Sequence, residues 1–532
     1  MEEKPEIPEF YRGRTILLTG STGFIGKVLI WKLLHSCPLI KNIYILLRKK
    51  HGKDIAERKD ELFSCPIFDN FRESNPKIFD KVVAIEGDVG EENIGISEKD
   101  KITILNEVSI VYHNAALLKM DATLAQAINV NTKGVIRMLD IASKMKNLEA
   151  FVYVSTAYSC CNEKEVEEKL YSIPGNPYDI VRSVDWLPPH VLERITADII
   201  APLPNTYTFS KRLTELLLEK YENELPVIVA RPTIVVSSIN EPFPGWIDNL
   251  NGAGGVAITT GKGILHSMPA HRNKKGDMVP VDVVCNTLVA IPWAEAKKKE
   301  LHLKDSKIAV YNVAVTERDP ITWGEFQQIC MTAALKYPYE TILWYPTYDV
   351  IQENMFIHQL EVIFYHMIPA YIIDFLLYLF GQKTFMVRIQ KKINQGLKAL
   401  RYFSTQQWTF RTNNTIKLKN LMNEADREMF VVTEKDVNLE HMAEQSAIVS
   451  KKYYFKEDLS NIERCKRKLK IFYAVRLSIN ELLFAYESTE ATRRYFRLFL
   501  AFGTFCRVPN GTLLSANARD HHLATSQSVR IT

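Results

Sequence analysis

Thr15-Ile16-Leu17-Leu18-Thr19-Gly20-Ser21-Thr22-Gly23-Phe24-Ile25-Gly26 carries the folding pattern of the N-terminal half of the chain. A run of β-forming residues stops at a glycine. A helical pattern follows from about Phe24 to Ser36, with apolar residues at 24, 25, 28, 29, 30, 33 and 34. Strand, glycine turn and helix in this order make a phosphate cradle. One glycine forms the tight turn, one lets the backbone approach a pyrophosphate, and one allows close helix–sheet packing. The helix N-terminus adds free N–H groups and partial positive charge. The expectation is a dinucleotide site formed by Gly20, Ser21, Thr22, Gly23, Phe24, Ile25 and Gly26.

Outward from this turn the pattern repeats. Ile43–Leu47, Val82–Ile85, Ile110–Tyr112 and Phe151–Val154 are short apolar runs without strict alternation. Such runs suit strands buried on both faces of a parallel sheet. The predicted fold class is α/β, a Rossmann-like doubly wound parallel sheet, followed by a mainly helical C-terminal region. A further strand, Val227–Ala230, precedes Arg231-Pro232, where proline breaks the pattern. Residues 160–206 are punctuated by prolines and read as an excursion able to cover a site; 242–276 read as a Gly/Pro-rich loop region. From about 350, strands fade. The expected divisions are 12–345 for the cofactor-binding and catalytic domain with its substrate subdomain, 350–480 for a helical domain, 481–509 for a basic and apolar segment, and 510–532 for a flexible tail.

The chain has 532 residues, 46% of them hydrophobic and 24% charged, which excludes a disordered protein or a small disulfide scaffold. Sixty-seven basic and 62 acidic side chains leave +5 overall, so the net charge makes no case for nucleic acid. The excess is local, because residues 451–500 hold 12 Lys and Arg against 6 Asp and Glu. Those charges suit a solvated helix face, an anionic membrane surface or the phosphates of a substrate. Eight cysteines are too sparse for a disulfide framework and show no zinc-ligand spacing, so no metal is expected. The polar, acidic N-terminus does not read as a secretory signal.

Arg48-Lys49-Lys50 follow the second strand, where an NAD site usually carries a carboxylate; a basic residue there complements a 2′-phosphate and favours NADPH. Asp88 and Val89 follow the third strand, placing an acidic group for the adenine amine. Asn114, Ala115 and Ala116 follow the fourth, where small residues permit close approach of a cofactor. Beyond the fifth strand come Ser155 and Thr156, at the carboxyl end where ligands bind in open α/β sheets. Tyr207-Thr208-Phe209-Ser210-Lys211 then begins a helix, and Tyr207 is the only tyrosine with lysine four residues later. That spacing puts both on one helix face, so the ammonium can make the phenol a better acid.

These motifs together resemble the extended short-chain dehydrogenase/reductase superfamily. More narrowly the chain is similar to the alcohol-forming fatty acyl-CoA reductases of the male-sterility type. The narrower resemblance rests on Thr19–Gly26, Val154-Ser155-Thr156-Ala157-Tyr158, Tyr207–Lys211, Arg231-Pro232-Thr233-Ile234-Val235, Met278–Asn286 and Phe403–Phe410, and covers about residues 12–480. It implies NADPH as cofactor, with Pro232 and Lys211 among the groups holding it, and long-chain acyl-CoA as substrate. It further implies Tyr207 as proton donor, tuned by Lys211, with Thr156 or Ser155 on the carbonyl oxygen. The rivals are a reductase of the same superfamily acting on a sterol or nucleotide sugar, and a non-catalytic NADPH-binding scaffold at a membrane.

Val362–Phe380 lacks Lys and Arg over nearly a bilayer's width, yet holds His366, Pro369 and Asp374. It reads as a membrane span, an interfacial helix pair or a buried helix. Leu498–Phe505, after Arg493, Arg494 and Arg497, reads as a membrane-surface segment. Membrane lipid is thus an expected partner. The family resemblance implies a cytosol-facing site on the endoplasmic reticulum or, alternatively, the peroxisome. A homo-oligomer stays open.

Overall fold

The computed structural model describes residues 3–488, apart from 51, 304–306, 317, 348 and 434–436. The Leu498–Phe505 segment and the tail from 510 lie outside the described residues, as does most of 481–509. The chain divides into Met1–Lys470 and Ile471–Thr532; the second part is helical to Ser488, as far as it is described.

Seven parallel strands form the central sheet: β1 (Thr15–Thr19), β2 (Asn42–Leu47), β3 (Val82–Glu86), β4 (Ile110–His113), β5 (Ala150–Val154), β6 (Val227–Pro232) and β7 (Ala309–Val313). Their spatial order is β7-β6-β5-β4-β1-β2-β3. β1 pairs with β2 in the register Leu18↔Ile45 and with β4 in the register Leu18↔Tyr112. The winding reverses between β1 and β4, which opens a crevice beyond their carboxyl ends. All residues of β1, β5 and β6 are buried. That is why these strands read as unbroken apolar runs, and each buried aliphatic side chain contributes roughly 1.5–3 kcal/mol.

Helix α1 (Phe24–Ser36) packs along one face against the later α3 (Val281–Glu300), whose residues Val281 to Glu295 are all buried. Between them in sequence lies α2 (Thr206–Leu218), at the crevice. Tyr11 joins these layers, its hydroxyl 2.6 Å from that of Tyr112 and donating to Val289 O at 2.7 Å. Further on come α4 (Met355–Leu379), with one π turn over Val362–Met367, and α5 (Met386–Ser404).

Three local readings are refined. β6 runs through Arg231 to Pro232, which pairs with Val313 at the strand's end, and extended chain resumes at Ile234–Val236. The proline-punctuated excursion holds two helices, Pro177–Trp186 and Pro189–Ile200, because proline at a first helical position loses no hydrogen bond. The 242–276 loop region contains a helix, Gly252–Gly261, where Gly255 has no room for a side chain: a Cβ would lie 2.1 Å from Leu250 O.

Candidate active site

Gly20 ends β1 with φ of +72°, and a Cβ there would lie 2.7 Å from the Asn114 carbonyl carbon and 2.8 Å from Ala115 N. Gly26 is equally constrained, since a Cβ would fall 2.2 Å from Gly20 O. Gly23 sits at the N-cap of α1 with no side chain over the helix end. The result is a bare cradle facing the first turn of α1. Ser21 is buried beside it, and its Oγ has no hydrogen-bond partner among the described residues. An orphaned hydroxyl next to free helix N–H groups fits a phosphate oxygen. Thr22 and Gly23 are exposed. Phe24 and Ile25 turn their side chains onto the core, leaving their backbone to the cradle.

Thr19 Oγ1 accepts from Asn114 N at 3.1 Å and Ala115 N at 3.0 Å, which fastens the loop after β4 to the end of β1. Asn114 Nδ2 donates to Gly20 O at 3.3 Å, so its amide shapes the cradle. At the far side, Arg48 Nη1 meets Asp88 Oδ2 at 3.0 Å across the ends of β2 and β3. Asp88 Oδ1 accepts from Gly90 N at 2.9 Å. Val89 is buried under Gly134. Arg58 donates to Arg48 O at 2.5 Å and adds a cation to this corner that the sequence reading did not single out.

The candidate side chains Ser155, Thr156 and Lys211 lie at the ends of β5 and β6. Asn205 caps α2 by accepting from Thr208 N at 2.9 Å, which sets Tyr207 in the first turn. Burial pushes the Tyr207 phenol up, so it carries its proton. Lys211, one turn on, is buried and donates to Val154 O at 2.8 Å, with its ammonium 4.8 Å over the Tyr153 ring. Burial pulls its pKa down to about 7, while Glu215 acts to raise it. His113 is wholly buried, and desolvation with the nearby Lys211 holds it neutral at about 3.

The two adjacent hydroxyls differ. Ser155 Oγ donates to Glu215 Oε1 at 2.5 Å. That carboxylate also takes Ser159 Oγ at 3.1 Å, and Arg231 Nη2 on its Oε2 at 2.5 Å. The Glu215–Arg231 pair is essentially without solvent contact, at 1% and 0% exposure. Thr156 Oγ1 has only a long contact to Pro232 O, 3.4 Å, and one from Tyr158 N, 3.3 Å.

Two supports escaped the sequence reading. Asn131 lies in a π turn, Ile128–Lys133, and its Nδ2 donates to Ser210 Oγ at 2.9 Å and Leu117 O at 3.2 Å. It thereby locks α2 to the loop after β4. The available signal was a polar cluster, Asn129 to Lys133, inside an otherwise apolar helical pattern. Glu215 is the second; it stands four residues beyond Lys211, the same spacing that picked out Tyr207.

The segment Phe403–Phe410 closes over the far side. Tyr158 is ringed edge-on by Phe403, Trp408 and Phe410 at 5.2, 5.4 and 5.4 Å. Trp408 Nε1 and Tyr402 OH both donate to Cys161 O, at 2.8 and 3.2 Å. Cys160 and Cys161 are buried, and desolvation raises both thiols, Cys161 to about 12, so neither is a thiolate.

Two family models, both described as Male sterility protein, match this chain, an NAD-binding one over residues 18–288 and a second over 365–457. Fatty acyl-CoA reductase 1 of Rattus norvegicus is 34% identical over 477 residues, 90% of this chain and 92% of its own. The Homo sapiens protein of the same name is 33% identical, and Fatty acyl-CoA reductase 2 of Mus musculus 34%, each with the same 90% and 92% coverage. Among solved structures, the terminal R domain of the myxalamid PKS-NRPS pathway aligns over 84% of this chain and 92% of its own, with TM-score 0.55 and 18% identity. The reductase domain of a Mycobacterium tuberculosis nonribosomal peptide synthetase aligns over 83% and 94%, with TM-score 0.53 and 14% identity. At that identity the two structures establish the fold.

Proposed function

Because the chain belongs to the fatty acyl-CoA reductases of the male-sterility type, a family of NAD(P)-dependent oxidoreductases, we propose that it reduces long-chain acyl-CoA to the primary alcohol. CoA leaves at an aldehyde stage, and NADPH is the reductant in both steps. The observation that carries this is Lys211, one turn beyond Tyr207 on α2, donating to Val154 O where β5 runs into Ser155 and Thr156, at the carboxyl ends of the same sheet as the glycine cradle.

A bound nicotinamide would supply one hydride, so the two reductions would draw on two successive NADPH molecules. The chain's own groups do the rest. Tyr207, half-buried and neutral, gives its proton to the oxygen that becomes negative. Thr156 offers that oxygen a second hydroxyl. The geometry supports Thr156 over Ser155, because Ser155 is spent on the Glu215–Arg231 pair. Collapse of the hemithioacetal passes its hydroxyl proton to the sulfur and expels CoA thiol, and Tyr207, reprotonated from solvent, then serves the aldehyde in the second reduction. Lys211 suits the nicotinamide ribose hydroxyls, with Pro232 and the Asn114–Ala116 backbone as further walls. For the 2′-phosphate, Arg48 would exchange its carboxylate partner Asp88 for the ligand, with Arg58 beside it.

A membrane site follows from α4. Within this 25-residue helix an 18-residue window has a mean hydropathy of 1.7, and only 11% of that window is buried. Asp374 accepts from Phe385, Met386 and Val387 N at 2.9, 2.9 and 3.0 Å, so its carboxylate caps α5. A carboxylate spent on turning the chain back suits a hairpin lying in one leaflet interface better than a span. The endoplasmic reticulum, facing the cytosol, is the favoured compartment, with the peroxisome as alternative. The proposed functional divisions remain 12–345 for chemistry and 350–480 for lipid engagement.

The test is NADPH oxidation at 340 nm with palmitoyl-CoA and product analysis. Wild type yields hexadecanol, and Tyr207→Phe loses at least about a hundredfold in kcat, the scale of one general acid. Equal turnover of the two proteins, or free aldehyde as sole product, sinks the scheme. Running NADH in parallel tests the role of Arg48.

A further inference from the structure

Past Pro232 the β6 chain continues as Ile234–Val236, and beside it lies an apolar cavity of about 90 Å³, partly open to solvent. Its walls include Val236, helix Gly252–Gly261 through Ala257, helix Trp323–Lys336 through Phe326 and Ala333, and helix Leu439–Val449 through Met442 and Ala443. The lining is overwhelmingly carbon. Of its few hydroxyls, Ser446 Oγ is spent on Ser237 Oγ at 2.5 Å. Small side chains on three helices are what keep the space open.

One stretch of chain runs from the candidate reacting groups to the cavity wall. Thr156 Oγ1 lies 3.4 Å from Pro232 O. Pro232 to Val236 is four residues, about 13 Å of extended chain. Ile234, midway, packs both on the cluster holding Tyr158, Phe209 and Leu213 and on the one holding Val236, Met278 and Trp323. A linear ligand anchored at Thr156 would need many methylenes to reach these walls.

We propose that this cavity receives the distal end of the acyl chain, and that Ala257 and Ala443 set the length accepted. The inference rests on the acyl-CoA reading above. Each methylene moved from water into such walls is worth about fourfold in binding, so shortening the cavity must penalise long chains selectively.

The experiment compares kcat/KM for stearoyl-CoA and lauroyl-CoA in full-length wild type, Ala257→Phe and Ala443→Phe. The stearoyl-to-lauroyl ratio falls at least about tenfold in each variant; a ratio within about twofold of wild type overturns the proposal. A second measurement needs no variant. A non-hydrolysable stearyl thioether of CoA with a terminal diazirine is photolysed on wild type and the adduct mapped. Labelling within 252–261, 323–336 or 439–449 supports the cavity, and labelling confined elsewhere refutes it. Wild-type turnover without cavity labelling removes the cavity and leaves the acyl-CoA reading standing. Absence of turnover with either thioester removes both.

Discussion

Lys211 pairs a buried ammonium with a pKa near 7, set by desolvation against the pull of Glu215. In the unfolded chain a lysine holds its proton to about 10.4. Between about pH 7 and pH 10 the unfolded state therefore binds more protons than the folded one, so this group makes stability rise with pH across that window. Below it, the full cost of burying the ammonium is present. Lys211→Met, measured without cofactor, should raise the melting temperature most near pH 6 and progressively less toward pH 10. A shift independent of pH refutes the assignment. Glu215 gives a second expectation. Glu215→Leu strands Arg231 in the core and should cost about 3–5 kcal/mol in urea unfolding, with Arg231→Met in the same chain restoring most of it. A loss under about 1 kcal/mol for the single change would contradict the ion pair's role. Tyr207 and Lys211 were legible in the sequence because their relation is local, one helical turn. The Ser155–Glu215–Arg231 cluster was not, since it joins positions 155, 215 and 231 through the sheet, and no spacing rule encodes that.

The strands that build the crevice were legible as elements because burial on both faces leaves only apolar residues. Elements whose punctuation cuts both ways were not. Pro177 and Pro189 read as breaks and turned out to start helices. Gly254 and Gly255 read as loop and turned out to let Gly252–Gly261 pack closely. The apolar run Val362–Phe380 read as a span, an interfacial pair or a buried helix; it is largely exposed, and its Asp374 was ambiguous until its three backbone partners were seen. At this scale the hairpin makes its own prediction. Phe364, Phe375 and Tyr378 are 60%, 60% and 72% exposed. The following α5 carries Arg388, Lys391, Lys392, Lys398 and Arg401. Aromatic side chains beside cations suit an anionic lipid surface. Phe364→Glu with Phe375→Glu should move the protein from pellet to supernatant when sedimented with phosphatidylserine-containing vesicles, with the melting temperature kept within a few degrees. Unchanged sedimentation counts against the hairpin as the contact.

Across the whole molecule, the helical half is threaded back through the sheet half. Asp426 accepts from Glu6 N and Ile7 N, both at 3.0 Å, and so caps the first helix of the chain. Asn312 on β7 donates to Arg411 O at 2.8 Å, and Asn414 to Val310 O at 2.8 Å. Thr409–Phe410 pairs in parallel with Glu165–Val166. A chain ended after residue 345 would expose the Tyr158 ring and the β7 edge together, and should lack a cooperative thermal transition and near-ultraviolet dichroism. A sharp transition in that fragment would show the halves to be independent.

The same threading bears on how such a protein can change over generations. Every atom proposed to react lies before residue 240, yet Trp408 holds the backbone at Cys161. A crossover between two diverged gene copies anywhere from 345 to 410 would mate a tyrosine ring from one parent with aromatic walls from the other. Hybrids of that kind should be scarce among functional descendants, and the two halves should have been inherited as a single block.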